Sequence, residues 1–503
     1  MHGTNRWSGT PGPARERHTL SGSTRIRTSL LATVGAAVLL GTGVTTVVAA
    51  PGPDSAAVPG ASVAKAVPTE RLIVGYTARA DEATSNTEAR ADARAKGEDV
   101  GENLAFERRL GTGAALVDLG DDLGTKDVKD VMAAFAADPD VAYVVPDTRV
   151  YAAADPDDTL YPKQWDLFED QAGMRVPGAW ARGATGEGVH VSVIDTGYVA
   201  HSDLAANVVP GYDFISDPWM AQDGGGRDSD SADPGDWMNR GECGTDAKGQ
   251  PVPARDTNNS WHGTHVAGTI AASGDNAKGI TGIAHRAKVQ PVRVLGKCGG
   301  TTADIIDAIT WSSGGTVQGV AANPYPADVI NMSLGGAGAC DAGTQSAVNA
   351  AVNRGTTVVV AAGNSNANAA NFNPASCKNV IAVAAADRQG NRAVYSNYGS
   401  AVDVTAPGGE TSPNTADGIL STLNSGTRGI GAETYTAYQG TSMAAPHIAG
   451  LAALMYQTKS GITPAQVESA IKANARPLPG TCSGGCGAGL ADATATLSAL
   501  GTP

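Results

Sequence analysis

The chain has no cysteine before Cys243, no cluster of lysine and arginine, no internal repeat, and no charged residue from Thr28 to Pro53. Each absence narrows the possibilities. With a formal charge of −14 and a pI near 5.0, the missing basic cluster argues against nucleic acid or an anionic membrane surface as partner. The six cysteines, Cys243, Cys298, Cys340, Cys377, Cys482 and Cys486, form an even set, which points to disulfides and export. Spacing speaks against zinc, because only Cys482 and Cys486 lie close together and no histidine is near them. What remains is an ordinary globular composition, 42% hydrophobic and 17% charged over 503 residues, enough chain for two or three domains.

The uncharged run follows Arg6, Arg15, Arg17, Arg25 and Arg27. Basic residues before an apolar stretch read as a secretory signal peptide, placed at 1–50. A retained membrane anchor is the competing reading, weakened by the threonines and glycines in the run. Residues 51–153 are expected to hold an Ala/Pro/Gly-rich linker and a small domain whose elements alternate strand, helix, strand, strand, helix, strand, the split βαβ of ferredoxin-like domains. The expected elements are strands at 71–76, 103–110, 114–119 and 141–150 and helices at 81–96 and 126–137. The stretch from Tyr151 to Asp158 is small and polar, a linker that a protease could enter.

From 154 to 503 the pattern changes. Runs at 189–194, 288–295, 328–334, 357–362 and 380–385 are apolar on both faces, as buried parallel strands are, and helix candidates fall at 265–272, 302–311, 343–354, 443–456 and 464–475. This alternation predicts an α/β domain, one parallel sheet covered by helices on both faces. Ligands of such a sheet sit beyond the carboxyl ends of its strands. Three polar residues occupy that edge: Asp195 ending the first strand, His262 at the next junction, and Asn364 after Ala361-Ala362-Gly363. A fourth, Ser442, precedes the all-apolar stretch from Met443 to Tyr456, with Pro446 read as lying in the first turn of that helix. Taken alone, Ser442 is a helix cap, Asp195 and Asn364 are turn residues, and His262 with His265 could be metal ligands, although the Glu of HExxH is missing. Together they are the types that acyl transfer requires: a nucleophile, a base that can return its proton near neutral pH, a carboxylate to fix the tautomer of that base, and an amide donor for an oxyanion. The chain order Asp, His, Ser without a GxSxG elbow excludes an α/β-hydrolase.

The stretches around Asp195, His262 and Ser442, with Asn331-Met332-Ser333-Leu334-Gly335 and Ala361-Ala362-Gly363-Asn364, resemble the subtilisin-like serine peptidases, the subtilases. The resemblance spans roughly 159–503, and the region from Glu70 to Val150 is similar to the family's inhibitory, chaperone-like propeptide. It implies a subtilisin-like fold and a secreted, monomeric serine endopeptidase made as a precursor cut near 151–158, with its own propeptide as intramolecular inhibitor and proteins or peptides as substrates. Ser442 would be nucleophile, His262 base and then acid, Asp195 its orienting carboxylate, and Asn364 with the Ser442 N–H the oxyanion hole. The substrate would add as a strand between Ser333-Leu334-Gly335 and the segment holding Gly299. Ala361, Gly363 and the turn from Phe372 to Ser376 would shape an apolar-preferring pocket. Structural calcium is expected, with Asp203, Asp275 and Asn276 as one candidate set. Asp228, Asp230, Asp233 and Asp236 in the acidic insertion form another, a solvated loop being the alternative. The expected disulfides pair Cys243 with Cys298, Cys340 with Cys377, and Cys482 with Cys486. A catalytically silent subtilase-like binding protein and a narrow-specificity processing protease are the rival readings.

Overall fold

Residues 71–120, 125–147 and 155–501 are described by the computed structural model. The expected signal peptide, the linker after it and 151–154 of the exposed linker lie outside the described residues. Two units divide the chain, Met1–Arg149 and Val150–Pro503.

In the first unit, strand β1 (Arg71–Tyr76), helix α1 (Asn86–Val100), strands β2 (Ala105–Arg109) and β3 (Ala115–Asp118), helix α2 (Thr125–Ala136) and strand β4 (Val141–Pro146) follow one another. The four strands form one sheet in the order β2-β3-β1-β4, with every neighbouring pair antiparallel. Helix α1 starts later than the charged run implied. The Ser85 side chain caps it by accepting from the Glu88 N–H, and Gly101 ends it in the left-handed conformation, as caps of these types do. Ala89, Ala93 and Gly97, four apart, are its buried residues, and small side chains there let the helix lie close to the sheet.

The second unit opens with two short helices, α3 (Trp165–Phe168) and α4 (Pro177–Trp180), before strands β5 (His190–Asp195) and β6 (Tyr212–Asp213). Helix α5 (Pro218–Ala221), helix α6 (His262–Ala271), strand β7 (Lys288–Arg293), helix α7 (Thr302–Ser312), strand β8 (Val329–Met332) and the short β9 (Gly336–Ala337) come next. They are followed by helix α8 (Ala342–Asn353), strands β10 (Thr357–Ala361), β11 (Phe372–Asn373), β12 (Ile381–Ala386) and β13 (Val404–Pro407), and a hairpin of β14 (Ile419–Asn424) and β15 (Glu433–Tyr438). Helices α9 (Thr441–Thr458), α10 (Pro464–Ala473) and α11 (Ala493–Leu500) complete the described chain.

Seven strands form the main sheet in the order β13-β12-β10-β8-β5-β7-β6, all paired parallel. Side chains alternate between its two faces. On β10, Val359 and Ala361 join the core built with α6, α9, α10 and α11, while Val358 and Val360 join the opposite core with α7 and α8. Strand order reverses beside β5: after β5 the chain lays down β6 and β7 on one side and then crosses to β8 on the other. The carboxyl ends of β5 and β8 therefore open a crevice at a topological switch point, the place where such sheets bind ligands. Strand β13, the hairpin and α11 were not anticipated from sequence. The six cysteines are joined as Cys243–Cys298, Cys340–Cys377 and Cys482–Cys486.

Helix α9 is buried from Met443 to Met455. Gly450 lets it touch the segment after α6: a Cβ placed there would stand 2.8 Å from Ile283 Cβ and 2.9 Å from its Cγ2. Alanine improves helix propensity by about 1 kcal/mol over glycine, but overpacking a core costs about 1–3 kcal/mol. We expect Gly450→Ala to lower stability in denaturant unfolding; an unchanged or raised midpoint would show that the contact has slack.

Candidate active site

Helix α9 begins at Thr441, with Gly440 as its N-cap, and Pro446 lies inside it. The expectation that Pro446 sits in the first turn is thereby corrected. A helix tolerates an interior proline when the carbonyl four residues back, left without its N–H partner, finds another. Here that carbonyl belongs to Ser442, and it accepts from the Ser333 hydroxyl at 2.8 Å. Ser333 follows β8, and its Oγ accepts in turn from Asn331 Nδ2 at 3.0 Å. The Ser442 hydroxyl donates to the Ser333 carbonyl oxygen at 3.1 Å. Ser442 is thus tied through both its carbonyl and its side chain to the exit of β8.

Asp195 ends β5 and is fully buried. Its Oδ1 meets His262 Nδ1 at 2.7 Å and accepts from the Thr196 N–H at 2.8 Å. A carboxylate at Nδ1 selects the tautomer with the proton there and leaves Nε2 free as a base. Burial works against the charged imidazolium, but the Asp195 charge and hydrogen bond, followed by the charges of Asp236 and Asp233, outweigh it and raise the pKa of His262. His265, one turn along α6, goes the other way: burial pushes it down to about 3. Its Nε2 lies 3.1 Å from the Ile419 carbonyl oxygen and 3.0 Å from that of Thr436, and its ring stacks on Tyr438. His265 is a structural residue of the hairpin contact.

Asn364 follows β10. Its Oδ1 accepts from the Thr441 N–H at 2.8 Å and from the Thr441 hydroxyl at 2.9 Å, which leaves Nδ2 as the free donor end of the amide. Thr441 Oγ1 also accepts from the Gly363 N–H at 3.1 Å. Thr441 therefore sets the orientation of Asn364, a role invisible in sequence because only the fold brings β10 beside α9.

Around these residues lies a cavity of about 440 Å³, lined by Ser333, Leu334, Gly335, Ala361, Gly363, Asn364, Phe372, Thr441 and Ser442 among others. A second, of about 490 Å³, shares Leu334 and Gly335 and adds Leu295, Cys298, Gly299 and Ile305. The fold brings the six residues expected to bind substrate, Ser333, Leu334, Gly335, Gly299, Ala361 and Gly363, to these two adjoining pockets.

The acidic residues sort differently from expectation. Asp228, Asp230, Asp233 and Asp236 do not converge as a second cation set. Asp228 Oδ1 accepts from the Asp230 N–H, Asp230 Oδ1 from the Ala232 N–H, and Asp233 from Thr196 and Gly235. Both oxygens of Asp236 accept from Ser260. Among the described residues, the group of at least three metal-ligating side chains is Asp157, Asp158 and Asp275. Asp158 Oδ1 is buried without a hydrogen-bond partner, although the residue is only 2% exposed. Asp203 and Asn276, expected beside Asp275, bond to each other at 2.7 Å. Neither Asp157 nor Asp158 was picked out from sequence, because Asp275 lies more than a hundred residues further along the chain.

Comparison with known proteins follows the same lines. Residues 186–489 match the model of the subtilase family. An extracellular protease of Xanthomonas campestris is 50% identical over 428 residues, covering 84% of this chain and 71% of that protein. An extracellular basic protease of Dichelobacter nodosus is 42% identical over 406 residues, covering 80% of this chain and 65% of its own length. A solved structure of proteases from Pseudoalteromonas arctica superposes with a TM-score of 0.66 at 52% identity, covering 69% of this chain and all of that one.

The Asp195–His262 contact has a spectroscopic consequence. NMR of labelled histidine should show His262 titrating above the ordinary imidazole value of about 6.5, and Asp195→Asn should bring it down, since the carboxylate is the largest influence raising it. A titration unmoved by Asp195→Asn would contradict the assignment.

Proposed function

The chain belongs to the subtilase family and is a serine endopeptidase, and from that premise we propose that Asp195, His262 and Ser442 act as its catalytic triad with Asn364 as oxyanion donor. The observation that carries this reading is the 2.7 Å contact between His262 Nδ1 and Asp195 Oδ1, made at the same sheet edge to which Ser333 ties Ser442. In the reaction, Ser442 turns from the Ser333 carbonyl toward His262 and attacks the scissile carbonyl carbon while its proton passes to Nε2. The carbonyl oxygen becomes an oxyanion facing Asn364 Nδ2 and the Ser442 N–H. When the C–N bond breaks, His262 returns the proton to the departing amine, and a water activated by the same base then hydrolyses the acyl-enzyme.

The relatives named extracellular proteases, together with the basic then uncharged start of the chain, support export. The substrate is proposed to pair as an added strand along Ser333-Leu334-Gly335 and the Gly299 segment. Ala361, Ala362, Gly363 and Phe372 line the cavity beside Ser442, with no charged side chain among its lining residues, which supports an apolar preference for the residue before the cut. The first unit is proposed as an inhibitory propeptide removed by cleavage in 151–158, leaving a monomeric mature enzyme.

Removing the amide donor with Asn364→Ala should lower kcat by roughly 10²–10³-fold, the loss characteristic of a missing oxyanion donor, with little change in KM. A wild-type kcat would take Asn364 out of the mechanism.

Calcium fits the Asp157, Asp158 and Asp275 group. Three carboxylates converge there, one with a buried oxygen that has no partner, and a hard cation prefers oxygen donors of this kind. Bound calcium would neutralise the mutual repulsion of these side chains and hold the segment after residue 155 against the Asp275 turn. EDTA should therefore lower the melting temperature, and Asp158→Ala should lower it and abolish the EDTA effect; an unchanged melting curve in EDTA would remove calcium from this site.

A further inference from the structure

We propose that the turn Asp233-Pro234-Gly235-Asp236 is a clamp that positions the Asp195–His262 pair, with Asp233 and Asp236 as positioning residues. The inference rests on the triad reading above and goes beyond it. Each end of the turn grips one flank of the pair.

On one flank, the Thr196 hydroxyl donates to Asp233 Oδ2 at 2.7 Å and accepts from the Gly263 N–H at 2.9 Å. Thr196 follows Asp195, and Gly263 follows His262. A single hydroxyl therefore joins the residues next to both partners, and the buried Asp233 carboxylate fixes the direction in which that hydroxyl points. There is no slack at this junction, since a Cβ on Gly263 would stand 2.3 Å from the Gly197 carbonyl oxygen.

On the other flank, Asp236 holds Ser260 twice, accepting from its N–H at 2.6 Å through Oδ1 and from its hydroxyl at 2.7 Å through Oδ2. Ser260 Oγ accepts in turn from the His262 N–H at 3.3 Å. Between them, Trp261 sits at φ 49°, a left-handed conformation that a bulky residue adopts only when its surroundings impose it. Asp236 supplies part of that constraint. The indole N–H of Trp261, donating to the Gly426 carbonyl oxygen at 2.8 Å, and its packing against Val199, Leu423 and Tyr438 add to it. The turn is itself anchored, because Asn259 Oδ1 accepts from the Asp236 and Trp237 N–H groups, both at 3.0 Å. Gly235 is required at its apex, with φ 111° and space that a Cβ would share with Asn259 Oδ1 at 2.4 Å.

Two of the four carboxylates in the acidic insertion are committed to donors beside the pair, Asp233 to the Thr196 hydroxyl and Asp236 to Ser260. If the clamp is released, the imidazole keeps its partner Asp195 but loses the fixed backbone that aims Nε2. The effect should appear in the chemical step, where small misplacements are expensive, and not in substrate binding.

The test compares Asp236→Ala, Asp236→Asn and Ser260→Ala with wild type on a peptide substrate, each normalised to sites titrated by a fluorophosphonate. Asp236→Ala is expected to lower kcat about 10- to 100-fold with KM unchanged. Asp236→Asn keeps an amide oxygen for the Ser260 N–H and should recover most of kcat. Ser260→Ala, which removes one hydroxyl and leaves Asp236 in place, should lower kcat in the same sense and serves if Asp236→Ala fails to mature. Wild-type kcat per titrated site in Ser260→Ala, or a loss confined to KM in either alanine variant, overturns the clamp while leaving the triad intact. Cleavage that survives Ser442→Ala in parallel overturns the triad reading and the clamp with it.

Discussion

One missing hydrogen bond organises the candidate site. Pro446 has no N–H, so the Ser442 carbonyl cannot complete the helical ladder of α9 and is satisfied by the Ser333 hydroxyl instead. That bond ties the start of the helix to the strand at the sheet's switch point, and Asn331 braces the hydroxyl from below. Elsewhere α9 is packed with small residues, Ala444, Ala445, Ala449, Gly450, Ala452 and Ala453, all buried. Close packing allows little displacement. A tightly packed helix holds its first turn in place, and with it the hydroxyl and free N–H groups proposed to meet an incoming carbonyl.

Electrostatics then separate two histidines on one helix. His265 is fully buried and His262 keeps part of its ring exposed, and their pKa values move apart, because a carboxylate sits against His262 while carbonyl oxygens and an aromatic ring meet His265. Paired groups pushed in opposite directions by their surroundings mark which one does acid–base work. The opposite shifts support the proposed role of His262 as the group that takes and returns a proton. His265 stays neutral and joins α6 to the hairpin.

Much of this was legible in the sequence. The strands that carry Asp195, Ser333 and Asn364 are apolar on both faces, so their periodicity and the residues at their ends could be read without coordinates. Other elements could not: β13 runs straight into Pro407-Gly408-Gly409, which reads as a turn, and the β14–β15 hairpin pairs a buried strand with a half-exposed one. Pro446 was misplaced because a proline inside a helix is unfavourable until a distant side chain replaces its missing bond, and Ser333 is over a hundred residues away. The acidic insertion was left open between a cation set and a solvated loop for a related reason. Aspartates at short spacing look alike whether they capture backbone N–H groups or a cation, and only the fold shows Asp236 bent toward Ser260 and Asp158 left with an unpartnered oxygen.

The central claim is that Ser442 is made nucleophilic by the base that Asp195 orients. Its most direct measurement is the site and rate of modification by a fluorophosphonate, followed by mass spectrometry of the intact and digested protein. The account predicts one adduct per chain, located on Ser442, formed far more slowly in His262→Ala. An adduct on another residue, or labelling of Ser442 at an undiminished rate without His262, would contradict it.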